Sequence, residues 1–207
     1  MSQGIKAILF DLGNVLVDFD YNIAAKRIAH FCDKNPKDLI KLLLSSNIAN
    51  LFEEGKITPE EFFAQVKDML NLKISYSRFV PIWNEVFFLS AKNRSVYSLA
   101  NNLRNNYKVA ILSNINILHY AYLKQYFPVF NIFHNVFVSC EMGLTKPDLK
   151  IYSKTLEALE VIPEGVFYTD DRDDLIKSAA ALKINSFKFS DVKKLKNDLI
   201  SLGVVLN

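Results

Sequence analysis

The sequence predicts an α/β fold, in which a Rossmann-like core with a parallel sheet carries an inserted all-helical cap. Short apolar segments alternate with helical patterns along most of the chain, which is typical of a parallel sheet flanked by helices. About ninety-five residues separate the first two predicted strands, whereas a crossover needs only about a dozen. That long interval carries helical patterns of its own, so we expect a second, helical unit within the core.

Five strands are predicted in the core. They cover residues 7–10, 109–112, 136–138, 166–168 and 185–189. The first four are nearly continuous apolar runs, which is typical of strands covered on both faces. Apolar residues at helical spacing predict helices around residues 96–103 and 151–159.

The inserted segment is predicted to contain several helices. Thr58 and Pro59 begin a capping box, with the proline at the first helical position. Pro81 is expected to end or kink the helix that contains it. The expected units are residues 1–17 and 91–207 for the core and 18–90 for the cap.

The composition excludes several classes of protein. The chain has 207 residues, of which 50% are hydrophobic and 23% charged, and its formal net charge is +3. Because it has no block of like charges, we expect no nucleic-acid partner and no membrane partner. It has no long apolar run and no secretory signal, and Cys32 and Cys140 lie far apart, which favours a reduced, cytoplasmic protein. These features make no prediction of oligomeric state.

Polar residues follow the predicted strands, at the edge where an open parallel sheet binds ligands. After successive strands come Asp11 with Gly13, Ser113 with Asn114, Lys146, and finally Asp170 with Asp171. Clustered carboxylates repel one another unless a cation neutralises them, and oxygen ligands suit Mg²⁺. The cation, Lys146 and the Ser113 hydroxyl would hold a phosphate dianion, and a carboxylate of the cluster can attack phosphorus.

Four segments resemble the motifs of the haloacid dehalogenase-like (HAD) hydrolases. They are Phe-Asp-Leu-Gly-Asn-Val at 10–15, Leu-Ser-Asn at 112–114, Gly-Leu-Thr-Lys-Pro-Asp at 143–148 and Tyr-Thr-Asp-Asp at 168–171. They occur in the family's order, and the helical insertion lies where the family has its cap. The sequence is most similar to the branch of small sugar-phosphate phosphatases that share the Asp-Leu-Gly-Asn-Val opening, such as α-D-glucose-1-phosphatase.

This resemblance implies a Mg²⁺-dependent phosphomonoesterase that acts on a small phosphorylated metabolite, such as a sugar phosphate. Asp11 matches the nucleophile and a metal ligand, and the carbonyl of Gly13 matches a second ligand. Lys146 matches the lysine that stabilises the nucleophile and the phosphoryl group. The remaining matches are Ser113 and Asn114 in the phosphate-binding motif, and Asp171 with Asp170 in the acidic motif that holds Mg²⁺.

Two positions depart from the family pattern. Gly13 replaces the Asp that acts as general acid/base in most family phosphatases, which favours activated phosphoesters. Leu175 stands where relatives often have Asn or Asp, and Asp174 is a candidate substitute. These departures support an alternative, a catalytically weak binding or scaffold protein. A second alternative is a metal-free carbon–halogen hydrolase, which the adjacent acids Asp170 and Asp171 oppose.

Other conspicuous residues are interpreted as structural. His119 is assigned to the core, and Asp18 and Asp20 to the surface, although either carboxylate could approach the leaving group. The aromatic side chains between positions 18 and 90 are assigned mainly to the core of the cap, and one or two of these rings are expected to line the substrate pocket.

Overall fold

The computed structural model describes residues 4–206, except the side chains of residues 44 and 45. Its strands are β1 (Ala7–Phe10), β2 (Asp18–Phe19), β3 (Phe87–Phe88), β4 (Lys108–Ser113), β5 (Asn135–Val138), β6 (Val166–Asp170) and β7 (Asn185–Lys188). Its α-helices are α1 (Tyr21–Ile28), α2 (Pro36–Ser45), α3 (Asn47–Glu53), α4 (Pro59–Leu70), α5 (Tyr76–Asn84), α6 (Ala91–Leu103), α7 (Ile117–Tyr126), α8 (Ser139–Met142), α9 (Leu149–Leu159), α10 (Asp173–Ala181) and α11 (Val192–Ser201). Within this described range, no helix combines the length and the apolar character needed to cross a bilayer.

Five strands form one parallel sheet in the order β5-β4-β1-β6-β7. This order confirms the predicted α/β fold and places β1 at the centre. Phe10, the last residue of β1, pairs with Ile111 of β4 and with Thr169 of β6. The segments that follow these three strands therefore emerge side by side at one edge of the sheet.

Both faces of the sheet are covered by helices. Along β1, Ile8 and Phe10 belong to the apolar cluster that includes α6 and α11, whereas Ala7 and Leu9 belong to the cluster that includes α9 and α10. This alternation follows from the two-residue period of a strand. The prediction of full burial is wrong for β5, because this edge strand has only half-buried residues before Val138.

Helices α1 to α5 pack around a separate apolar core, which is rich in aromatic rings. The predicted capping box is confirmed, since Thr58 Oγ1 accepts from the backbone of Glu61 and Glu61 Oε2 accepts from the backbone of Thr58. Pro81 does not end helix α5, which continues for three more residues to Asn84.

The inserted segment is not helical at its two ends. Strands β2 and β3 form an antiparallel ribbon, in which Asp18 pairs with Phe88 and Phe19 with Phe87. The chain enters and leaves the insertion in opposite directions at this place, and pairing satisfies the backbone groups of both segments. The division into residues 1–17, 18–90 and 91–207 stays a prediction.

Candidate active site

A cleft of about 250 Å³ lies at the edge where β1, β4 and β6 end. The predicted site residues that line it are Asp11, Gly13, Ser113, Asn114, Lys146 and Asp171. Asp170 is fully buried beneath them and reaches the same cluster through Lys146. The fold therefore brings all seven predicted residues together, although they come from four separate segments of the chain.

Lys146 is the centre of a buried hydrogen-bond network. Its Nζ donates to Asp11 Oδ1 and to Asp170 Oδ2, both at 2.7 Å, and to the carbonyl of Leu112 at 3.0 Å. Tyr168 also donates its hydroxyl to Asp170 Oδ2. We call Asp11, Lys146, Tyr168 and Asp170 the floor of the cleft. Burial opposes the charge of Lys146, but the two carboxylates outweigh it and raise the pKa of the lysine.

The carboxylates of this cluster outnumber its cations. Carboxylate oxygens of Asp11, Asp170 and Asp171 lie within 4.8 Å of one another. Burial raises the pKa of Asp11 to about 7, since the opposing attraction of Lys146 is partly cancelled by Asp170 and Asp171. Lys146 alone does not neutralise three carboxylates. A set of crowded oxygen donors with excess negative charge fits a hard divalent cation.

Asp171 is held by a residue that sequence reasoning missed. Asn14 Nδ2 donates to Asp171 Oδ2 at 2.8 Å. Asn14 has a left-handed backbone, with φ of 57°, a conformation that asparagine tolerates better than most residues. Burial raises the pKa of Asp171, although the Asn14 hydrogen bond opposes the shift. The asparagine directly after Gly13 was the available signal for this contact.

Asn114 positions the loop that carries Lys146. Its Nδ2 donates to the Lys146 carbonyl, and its Oδ1 accepts from the Lys146 backbone N–H, both at 2.8 Å. Among the described residues, the Ser113 side chain makes only a long contact, from its Oγ to the Asn114 carbonyl at 3.4 Å. Within this predicted pair, Ser113 is therefore the residue whose side chain is more available to a ligand in the cleft.

The packing around residue 13 explains why this position is a glycine. A Cβ atom placed on this residue would lie 2.9 Å from Cε1 of Phe19, which is closer than real Cβ atoms approach. The ring of Phe19 packs edge-on against Tyr21 and Phe87. Phe19 therefore occupies the space into which a side chain at position 13 would extend.

Asp174 does not replace the family residue at Leu175. Its carboxylate is exposed and pairs with Arg172 at 2.6 Å, whereas the Leu175 side chain is buried and lines the cleft. Asp174 lies in the first turn of α10, and its neighbouring arginine draws it to the surface. The suggestion that Asp174 substitutes for Leu175 is wrong.

His119 occupies the structural place expected for it, whereas Asp18 is less exposed than a surface residue, with 15% of its side chain accessible. His119 is buried, and its ring nitrogens contact the Trp83 carbonyl and the Asn116 amide, both at 3.0 Å. Burial lowers the pKa of His119 to about 4, so the ring is neutral near pH 7. Asp18 forms an ion pair with Lys92, and the Asp20 carboxylate caps α1.

The side of the cleft opposite the floor is mostly aromatic. We call Phe19, Tyr21, Glu53 and Phe87 the roof of the cleft. Tyr21 and Glu53 also line an apolar recess of about 40 Å³ inside the cap. Sequence reasoning expected one or two aromatic rings of the cap to line the pocket, as the ring of Phe87 does, but it missed Glu53.

Comparison with known proteins agrees with this geometry. The sequence profile of the haloacid dehalogenase-like hydrolases matches residues 5–183. The chain belongs to this family. This membership confirms the resemblance drawn from the four motifs, and the α/β core with its inserted helices is the architecture that the resemblance implied.

Two relatives of this HAD-like hydrolase are phosphatases by name. D-Ribitol-5-phosphate phosphatase of Bacteroides thetaiotaomicron is 25% identical over 190 residues, which cover 89% of this chain and 91% of that protein. Sesquiterpene phosphatase of Aspergillus oryzae is 22% identical, with 92% of this chain and 93% of that protein covered. A solved HAD family enzyme from B. thetaiotaomicron, in complex with magnesium and inorganic phosphate, is 28% identical with a TM-score of 0.80, over 91% of this chain and 96% of that one.

Proposed function

We propose that the protein is a Mg²⁺-dependent phosphomonoester hydrolase that acts through an aspartyl-phosphate on Asp11. The observation that carries the proposal is the cluster of three carboxylates at the end of the central strand, two of which bind Lys146. A phosphate ester placed in this cleft would meet a carboxylate nucleophile, a buried cation and the Ser113 hydroxyl together.

The metal would be held by Asp11, Asp171 and the carbonyl of Gly13, with Asp170 completing the acidic cluster. All of these donors are oxygens, and the cluster carries excess negative charge, as a Mg²⁺ site requires. Bound Mg²⁺ supplies neutralisation of the phosphoryl oxygens and of the charge that develops during transfer.

The side chains of the site carry out the remaining steps of the reaction. Lys146 holds Oδ1 of Asp11 at 2.7 Å and thereby fixes the orientation of the carboxylate. The other oxygen of Asp11 forms a bond to phosphorus, while the bond from phosphorus to the ester oxygen breaks and its electron pair leaves with that oxygen. Water then attacks phosphorus, and phosphate and free Asp11 are released.

The substrate we propose is a small phosphorylated metabolite. The cleft volume of about 250 Å³ suits a small molecule. The named activity of D-ribitol-5-phosphate phosphatase supports a sugar or polyol phosphate. The isolated free thiols of Cys32 and Cys140 support a reducing, cytoplasmic setting.

The apolar recess favours a second class of leaving group. Small apolar side chains such as Ala24, Ala25 and Ala49 line it, and it adjoins the cleft at Tyr21 and Glu53. An alcohol with a short apolar branch would fill this space. The name of the sesquiterpene phosphatase supports apolar leaving groups in general. Ala25→Leu should then reduce turnover of branched alkyl phosphates more than turnover of polyol phosphates.

Turnover of p-nitrophenyl phosphate with Mg²⁺ and with EDTA tests the proposal, followed by a screen of phosphorylated metabolites scored by phosphate release. We expect activity that depends on Mg²⁺ and weakens in Asp171→Ala. Full activity in EDTA would favour the metal-free alternative, which turnover of a haloacid then checks. No turnover of any phosphate ester would favour the binding or scaffold protein.

A further inference from the structure

The proposed chemistry needs a proton for the leaving oxygen, and residue 13 has no side chain to supply it. The structure also leaves no room there, because the ring of Phe19 lies 2.9 Å from the place of a Cβ on Gly13. Asp18 and Asp20 are engaged elsewhere, with Lys92 and with the first turn of α1. A proton donor must therefore come from another part of the cleft wall.

Glu53 is the one carboxylate that the described part of the cap contributes to this cleft. It is the last residue of α3 and lines the cleft together with Asp11 and Lys146. Within residues 4–206, no hydrogen bond or ion pair engages its carboxyl group, in contrast to the carboxylates of the floor. The carboxyl group is therefore available to a ligand.

The backbone around Glu53 is fixed to the core. Ser139 Oγ donates to the Glu53 carbonyl at 2.6 Å and accepts from the N–H of Ile115, just after β4. Gly55 has a φ of 65°, and a Cβ atom there would lie only 2.2 Å from the carbonyl oxygen of Cys140. These contacts dock the end of α3 against the core and hold Glu53 at the cleft.

The neighbouring carboxylate, that of Glu54, has partners of its own. Thr145 donates its hydroxyl to Glu54 Oε1 at 3.1 Å, and Lys56 forms an ion pair with Glu54 Oε2 at 2.6 Å. Of two consecutive carboxylates, one therefore fastens the cap to the loop before Lys146, and the other is left to the cleft. Glu54 thus provides a matched control for Glu53.

The surroundings of Glu53 favour its protonated form. Burial raises the pKa of Glu53, and Glu54 adds to this shift, while Arg172 and Lys146 oppose it. Tyr21, from α1, lines the same cleft as Glu53. A carboxylic acid that keeps its proton closer to neutral pH is suited to general acid catalysis.

We propose that Glu53 is the general acid that protonates the leaving alcohol, in place of the side chain absent at Gly13. This role rests on the proposed phosphatase function. As the bond from phosphorus to the ester oxygen breaks, that oxygen takes the proton of Glu53 and leaves as the alcohol. In the second step the Glu53 carboxylate takes a proton from the attacking water, which regenerates the acid and releases phosphate.

The test compares phenyl phosphate with p-nitrophenyl phosphate, using the whole protein with Mg²⁺. Phenolate is the more basic leaving group and needs the proton, whereas p-nitrophenolate leaves without it. We expect Glu53→Gln to lower kcat/KM for phenyl phosphate by about 10²–10⁴-fold, and for p-nitrophenyl phosphate by less than about tenfold. Because kcat/KM covers the steps up to bond cleavage, it isolates the acid role from the later base role.

Two further readouts separate this role from a structural one. The first readout is the value of kcat/KM for phenyl phosphate divided by that for p-nitrophenyl phosphate. In the wild-type protein this ratio should fall as pH rises, because Glu53 loses its proton. In Glu53→Gln the ratio should not change with pH. The same variant should release p-nitrophenol in a burst, because hydrolysis of the aspartyl-phosphate has lost its base. Glu54→Gln should leave the ratio at low pH unchanged and should move its fall only to lower pH, because the charge of Glu54 contributes to the raised pKa of Glu53.

Equal losses for both esters, or no loss for either, would overturn the assignment of Glu53. The activity of the variant on p-nitrophenyl phosphate also reports that it has folded. A wild-type protein that hydrolyses neither ester, nor any phosphorylated metabolite of the screen described above, would instead remove the proposed function, and the role of Glu53 with it. That result is obtained before any variant is made, so the two failures are distinct.

Discussion

The floor and the roof of the cleft differ in how their polar groups are paired. In the floor, Lys146 binds the carboxylates of Asp11 and Asp170 at once, and hardly any of its surface is exposed to solvent. In the roof, the aromatic rings pack against one another, and the carboxyl group of Glu53 has no partner among the described residues. In the mechanism proposed above, the floor would fix and polarise a phosphoryl group, whereas the roof would contact the leaving group and supply a proton.

The largest effect is expected from removing the nucleophile in the floor. Asp11→Asn should lower turnover of p-nitrophenyl phosphate by at least about 10³-fold, because an amide cannot form the acyl-phosphate. The fold should persist, since the amide oxygen still accepts from Lys146. The matched control is Asp18→Asn, which changes a carboxylate outside the cleft and should keep its activity. Retention of a tenth of the wild-type rate by Asp11→Asn would contradict the assignment.

The next largest effect concerns stability. Lys146→Met leaves the buried carboxylates of Asp11 and Asp170 without their cation, which should reduce the free energy of unfolding by about 3–5 kcal/mol. Urea denaturation in the presence of EDTA measures this loss of stability. Because the lysine lowers the pKa of Asp11, its loss raises that pKa further, so the deficit should be smaller at pH 5 than at pH 8.

The control for this prediction is Lys92→Met. Lys92 forms an ion pair with Asp18 at 2.7 Å, but the lysine is partly exposed, so its removal should change stability by less than about 1 kcal/mol. Similar losses for Lys146→Met and Lys92→Met would show that the floor is not the buried charge network described above.

A third prediction concerns the contact of the cap with helix α8 of the core, at Gly55 and Cys140. Gly55→Ala places a Cβ 2.2 Å from the carbonyl oxygen of Cys140, at a residue whose φ is 65°. Gly203 has a similar φ of 75° but no neighbour within 4 Å of a Cβ. Gly55→Ala should therefore reduce the free energy of unfolding by about 1–3 kcal/mol more than Gly203→Ala does. Equal losses would mean that the cap is not pressed against α8.

The smallest effect is expected from restoring an acid at position 13. Gly13→Asp alone should lower the melting temperature, because the ring of Phe19 must move. Adding Phe19→Ala makes room for the new carboxyl group. In a Glu53→Gln background, the pair should then raise kcat/KM for phenyl phosphate by about tenfold or more, with little change for p-nitrophenyl phosphate. An unchanged ratio of the two values would show that residue 13 does not reach the leaving group.

Much of the core could be predicted from the sequence, because its signals are local. The apolar runs of β1, β4 and β6 place these strands to within two residues, and the Thr58 capping box marks the start of α4. The ribbon of β2 and β3 could not be found in this way. It consists of two residues from each of two distant segments, and only their pairing makes them strands.

The same distinction holds within the site. Asp11, Ser113 and Asp171 could be predicted, because each directly follows or ends a strand of the sheet. Glu53 could not, since its place depends on a hydrogen bond to Ser139, a residue 86 positions away. Asp174, the candidate substitute for Leu175, lies instead in the first turn of α10, where it forms an ion pair with Arg172.

The ribbon of β2 and β3 has a consequence for how such enzymes diversify. The chain enters the insertion at Phe19 and leaves it at Phe87, and these two residues are paired. An insertion whose ends lie side by side can be exchanged as a module without displacing the strands of its host. A grafted cap that keeps this ribbon and a glycine at the Gly55 contact should bring a new range of alcohols to an unchanged phosphoryl-transfer centre.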